Sequence, residues 1–149
     1  MQTTKHNIPN QVCVCVDEVI NGGITGRFYH AYNAKGTLFF TSHQLIGEMD
    51  AFFDLLGYPQ CSVQMRSFRS KTQPSYEQLQ QARAELLARK GEGDPNSQTG
   101  KLATFQVYVM FRQNATWQGE LYWVEQEQSV NFRSALEFLE LLAEAMKRD

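Results

Sequence analysis

The feature that most constrains this chain is a correspondence between its two ends. The stretch TGRFYHAYNAKGTLFFTSHQLIGEM, starting at Thr25, matches QGELYWVEQEQSVNFRSALEFLEL, starting at Gln118. An offset of 93 puts Gly26 on Gly119, Tyr29 on Tyr122 and His30 on Trp123. The same offset lays Val12, Val14 and Val16 over Phe105, Val107 and Val109. Both triplets alternate with other residues, which is the period of a strand burying one face. If one residue is dropped between NAKG and EQEQ, an offset of 92 brings Leu38, Phe40 and Ser42 onto Val130, Phe132 and Ser134.

Past those serines both copies turn helical. A serine hydroxyl there accepts from the free N–H groups of a first helical turn, and Ser134 with Glu137 has capping-box spacing. Leu45, Ile46, Met49, Phe52, Phe53 and Leu56 recur at helical spacing until Gly57 and Pro59. Phe138, Leu141, Leu142, Ala145 and Met146 do the same in the second copy. The expected architecture is α+β. Two β-β-β-α repeats, 11–58 and 102–147, form an antiparallel sheet with helices mainly on one face. A closed or half-closed barrel is the nearest alternative. The equivalent Tyr29 and Tyr122 are expected to pack across the pseudo-dyad. At 149 residues the chain suits one domain that buries a core without metal or disulfide staples.

Between the copies lies a strand–helix insert, 61–90. Val63 and Met65 alternate like a short strand, and a helix is expected from a cap at Ser75 to about Lys90. GEGDPNSQTG follows, rich in breakers, and 91–101 reads as a flexible loop open to nicking. The offset of 92 also sets Leu45 and Phe52 against Glu137 and Glu144. It predicts an extra apolar stripe on the first helix, covered by the insert helix or by a second subunit.

Chemistry-bearing patterns are sparse. Cys13, Cys15 and Cys61 with His6, His30 or His43 lack the paired turn spacing of a structural zinc site, so no metal is expected. No G-x-S-x-G, phosphate-cradling glycine loop or H-E-x-x-H occurs. His30 sits in an aromatic row with Phe28 and Tyr32, and its counterpart Trp123 transfers no proton. Asp17 and Glu18 point to opposite faces of a strand, while Glu137, Glu140 and Glu144 form a solvated helix face. No catalytic residue and no cofactor is assigned.

Charge is uneven. Arg66, Arg69, Lys71, Arg83, Arg89 and Lys90 face only Glu77 and Glu85 within the insert, on a body that is acidic elsewhere. The formal net charge of −2 argues against a polybasic binder, but the insert itself suits phosphates or an acidic surface. Arg112, Trp117, Tyr122 and Trp123 gather in RQNATWQGELYW, where tryptophan beside arginine suits an interface or base stacking. No apolar run nears the ~18 residues of a membrane span. The start MQTTKHNIPNQV has no secretory pattern, so a cytoplasmic protein with reduced thiols is expected.

RQNATWQGELYW and NFRSALEFLELLAEAM resemble the C-terminal halves of small uncharacterised proteins of anaerobic Gram-positive bacteria. The resemblance covers about the last 45 residues. It implies a bacterial cytoplasmic setting and a mobile-element or phage context, in which some proteins inhibit host nucleases by binding. The favoured expectation is a non-catalytic interaction protein with a protein partner or a homodimer, through Leu45, Phe52, Arg112, Trp117 and Trp123. The rival is nucleic-acid binding or nuclease inhibition through Arg66, Arg69, Lys71 and Arg83. A small-molecule site or an enzyme comes third.

Overall fold

The computed structural model describes residues 10–59, 68, 75–112 and 116–147. Among them the strands are β1 (Val12–Ile20), β2 (Gly23–His30), β3 (Asn33–Phe39), β4 (Ala103–Phe111), β5 (Gln118–Trp123) and β6 (Gln128–Phe132). The α-helices are α1 (Ser42–Leu56), α2 (Tyr76–Leu87) and α3 (Ala135–Ala145). The strands form one antiparallel sheet in the order β3-β2-β1-β4-β5-β6. The architecture is α+β with an open sheet. The expected strand through Val63 and Met65 lies outside the described residues.

Up to the hairpin turns the strand pairings of the two halves keep an offset of 93. In the central ladder Cys13 faces Gln106, its own counterpart, while Val12 faces Val107 and Val14 faces Phe105. Gly26 lies opposite Val16 and Phe39, and Gly119 opposite Val109 and Phe132. Even the irregularities correspond, with shifts at Val16/Glu18 and at Val109/Phe111. No residue is lost in the hairpin, which corrects the expected slip to 92. The first hairpin has a bulge between Phe28 and His30 and a short turn at Ala31 and Tyr32. The second has no bulge but a longer turn containing a 3-10 helix, Val124–Gln126. Two residues absorbed by bulging in one are absorbed by the turn in the other.

The helix starts follow the same rule. Thr41, not Ser42, caps α1, accepting from the Gln44 N–H at 3.0 Å, and Gln44 Oε1 accepts from the Phe40 N–H at 2.8 Å. Ser134 caps α3 by accepting from the Glu137 N–H at 3.0 Å, and Glu137 Oε1 accepts from the Arg133 N–H at 2.8 Å. Each first turn has two orphan donors satisfied in the same way. Matched positions then enter one core: Phe39 with Phe132, Leu45 with Phe138, Met49 with Leu142, all essentially buried. Each such side chain contributes about 1.5–3 kcal/mol on burial. The expected extra stripe keeps Phe52 but not Leu45, and it is buried within the chain. Leu45 corresponds to a phenylalanine and Phe52 to Ala145, and both face inward.

The insert helix α2 begins at the expected cap, Ser75, with a capping box closed by Gln78, and ends three residues before Lys90. It rests on α1, with Leu86 against the core cluster and Arg83 Nε donating to the Leu55 carbonyl at 3.0 Å. The segment 91–102 does not hang free as the composition suggests; it straps the helix-free face of the sheet. The N–H groups of Gly91 and Gly93 donate to the Ala31 carbonyl at 2.9 and 3.1 Å. Gln106 Nε2 donates to the Pro95 carbonyl at 3.0 Å, and Gln11 Nε2 to Asn96 Oδ1 at 2.7 Å. The Lys101 N–H reaches Asp17 Oδ1 at 3.1 Å, and the Leu102 N–H reaches the Val16 carbonyl at 2.8 Å. On this face Tyr29, Cys13, Gln106 and Tyr122 stand in one row on neighbouring strands. The two tyrosines therefore do not meet, because Cys13 and Gln106 stand between them.

Candidate ligand groove beside Trp123

Of the five side chains expected to meet a partner, four are used inside the chain. Leu45 and Phe52 lie in the core. Arg112 is 2% exposed; its Nε donates to the Pro59 carbonyl at 2.7 Å, and its Nη1 to Asp50 and Asp54 Oδ1 at 2.8 Å each. Trp117 bridges the helices, with its ring 5.7 Å from Phe53 and 5.8 Å from Phe138. Its Nε1 donates to Asp50 Oδ1 at 3.2 Å. These residues tie the end of β4 and the start of β5 to the helices, which corrects their expected role as an open surface. Arg83, expected to meet phosphates, is spent on the C-terminal carbonyls of α1 and lies against Gly57. Arg66, Arg69, Lys71, Cys61 and His6 lie outside the described residues.

Trp123, the fifth, is part-buried against the core and lines open space, and the reason is visible in the other half. At its counterpart, the His30 ring stacks on Phe52 with centroids 4.0 Å apart and planes 8° apart. His30 Nδ1 accepts from the Tyr32 N–H at 3.1 Å. Burial, with Arg89 nearby, pushes its pKa down to about 4, so the imidazole is neutral at pH 7. In the second half Trp123 takes the place of His30 and Ala145 that of Phe52. The methyl group of Ala145 leaves the space of a phenyl ring unfilled. Two adjoining hollows of about 360 and 470 Å³ open there, sharing Trp123, Ala145 and Lys147.

The floor is apolar, from Phe105, Leu121 and Leu141 on one side to Val19 and Leu102 on the other. Trp123 is held from beneath by Phe105, with ring centroids 5.7 Å apart. Gln128, Glu144 and Lys147 supply polar groups at the rim. Among the described residues the Trp123 Nε1 has no hydrogen-bond partner. A concave lining that is more apolar than polar suits a small ligand.

The remaining reactive groups are committed elsewhere. Cys13 and Cys15 lie beneath the strap with their sulfurs 3.8 Å apart. The Cys13 thiol, bonded to Cys15 and buried, has its pKa raised; that bond and the nearby Arg27 lower the pKa of Cys15. Arg27 holds Asp17 at 2.8 Å and keeps its carboxyl below the usual range. Among the described residues no three metal-ligating side chains gather, and no helix is long and apolar enough to cross a membrane. Comparison with known protein families, curated proteins and solved structures gives no match.

Sequence reasoning paired His30 with Trp123 but missed Ala145 as the partner of Phe52, because the assumed slip placed Glu144 there. Carrying the offset of 93 past the hairpin would have revealed the missing ring.

Proposed function

We propose that the protein is a non-catalytic binding domain and that it binds in the groove beside Trp123. The observation that carries this reading is the unfilled space over Ala145, at a position where the other half of the molecule packs Phe52. An open hollow over a large aromatic surface holds water that an apolar occupant would release. The titratable groups nearest to catalytic chemistry, His30 and the Cys13–Cys15 pair, are engaged in packing and hydrogen bonds away from the groove. Of the surfaces expected from sequence, the interface through Leu45 and Phe52 loses its residues to the core. Nucleic-acid binding loses Arg83 to the end of α1. The groove leaves Trp123 as the residue through which a partner is held.

Filling the hollow tests this. Ala145→Phe should reduce the emission enhancement of 8-anilinonaphthalene-1-sulfonate by several fold, with the circular dichroism spectrum unchanged. If the folded variant enhances the dye as strongly as the parent, the groove is not the binding site.

A further inference from the structure

Resting on that reading, we propose that the groove takes a small molecule built on a flat aromatic ring. The ring lies against the Trp123 indole over Ala145, in the place that the Phe52 ring holds against His30.

The two halves supply the argument. Their strand registers up to the hairpin turns and their helix caps correspond at one offset, although a bulge precedes His30 and none precedes Trp123. The strand and helix that bring Phe52 onto His30 therefore have counterparts that carry Trp123 and Ala145. There the lower ring is larger and the upper ring is missing. An indole stacks more strongly than an imidazole, and an offset-stacked pair is worth about 0.5–1.5 kcal/mol beyond the area it buries. In the first half the turn after α2 closes the far side, with Arg89 near His30 and the Gly91 N–H on the Ala31 carbonyl. Beside Trp123 the exposed Glu144 and Lys147 line the hollow instead. The hollows fall within the volume range of small-ligand sites, about 300–1,000 Å³, whereas a single partner side chain would leave most of them empty.

The two tryptophans make the test direct. The Trp117 indole N–H is bonded to Asp50 in the core, and that of Trp123 is not bonded among the described residues. In ¹H–¹⁵N spectra, assigned with Trp123→Phe, the flat probe coumarin should shift the Trp123 indole signal saturably and leave that of Trp117 in place. The saturated analogue 1-decalone should bind roughly fivefold more weakly or worse, since it cannot stack. Ala145→Phe should abolish the coumarin shift, and Ala145→Met should weaken it if the phenylalanine variant folds poorly. Equal binding of decalone would overturn the ring preference while leaving the groove as a site. A shift with N-acetylphenylalanine amide but not with coumarin would replace the small molecule with a partner's side chain. Silence from every probe would sink the ring proposal and the groove reading together.

Discussion

Gly26 and Gly119 press against the backbone carbonyls of Cys15 and Tyr108, residues that are themselves 93 apart. A Cβ at either glycine would collide with backbone that has no flexible end to yield. Gly26→Ala and Gly119→Ala should therefore each cost about 2 kcal/mol or more, by similar amounts, in urea unfolding. Gly47→Ala is the control. It lies exposed within α1 with nothing near its Cβ, and should stabilise by about 0.5–1 kcal/mol.

The stack of His30 on Phe52 gives a second outcome. Phe52→Ala should destabilise by about 3–5 kcal/mol, the usual range for emptying a buried aromatic position. It should also open beside His30 the hollow that Trp123 already has. With its desolvation relieved, the His30 pKa should climb from about 4 towards 6.5, measurable by histidine proton titration in NMR.

Acid should weaken the fold in two stages. The unfolded chain takes up the His30 proton near pH 6.5, while the folded chain resists until about 4. Stability is thus complete above pH 6.5 and falls as pH drops towards 4, by roughly 3 kcal/mol at most. Asp17, with its pKa lowered by Arg27, adds a loss that begins only below its ordinary value of 3.8. His30→Phe keeps a ring on Phe52 and should flatten the first stage alone in pH-dependent denaturation.

Arg112 cannot be replaced by lysine without loss. Its guanidinium serves Pro59, Asp50 and Asp54 from one buried position and lies 5.5 Å from the Phe53 ring centroid. Asp50 and Asp54 keep access to water, so Arg112→Ala should cost about 2 kcal/mol rather than the larger penalty of stranding a buried charge. Arg112→Lys should recover less than half of that, because an ammonium cannot fork. Thermal unfolding at neutral pH checks both.

The strap over Cys13 and Cys15 predicts slow thiol chemistry. Native protein should leave both cysteines unmodified by N-ethylmaleimide over minutes, as read by peptide mass spectrometry. Asp17→Asn weakens the hold on Arg27 and on the Lys101 N–H, and should raise their labelling several fold.

Much of the frame could be read from residues that repeat a physical requirement. Val12, Val14 and Val16 announce a strand and the face it turns to the helices, though not that Cys13 and Cys15 are buried on the other. The paired glycines mark where neighbouring backbone comes close. The hairpins hid their agreement, because a bulge after Phe28 and a longer turn after Trp123 use the same number of residues in different ways. That ambiguity moved the α1 cap from Thr41 to Ser42 and turned inward-facing Leu45 into an apparent surface residue. Arg112 and Trp117 misled for a different reason. Large polar-tipped aromatics and arginine suit interfaces and cores alike, and only the placement of Asp50 and Phe138 decides between them. The strap was illegible because its bonds run from main chain to sheet side chains such as Gln106 and Asp17, and they leave no hydrophobic period.

The central ladder of β1 with β4 makes each half the other's sheet neighbour. Cutting the chain between Pro59 and Ser75 should yield fragments that fold only when mixed, since each alone bares a long row of unpaired valines and backbone amides. This mutual dependence holds both halves in one sheet although one fills its ring position with Phe52 and the other leaves it open at Ala145.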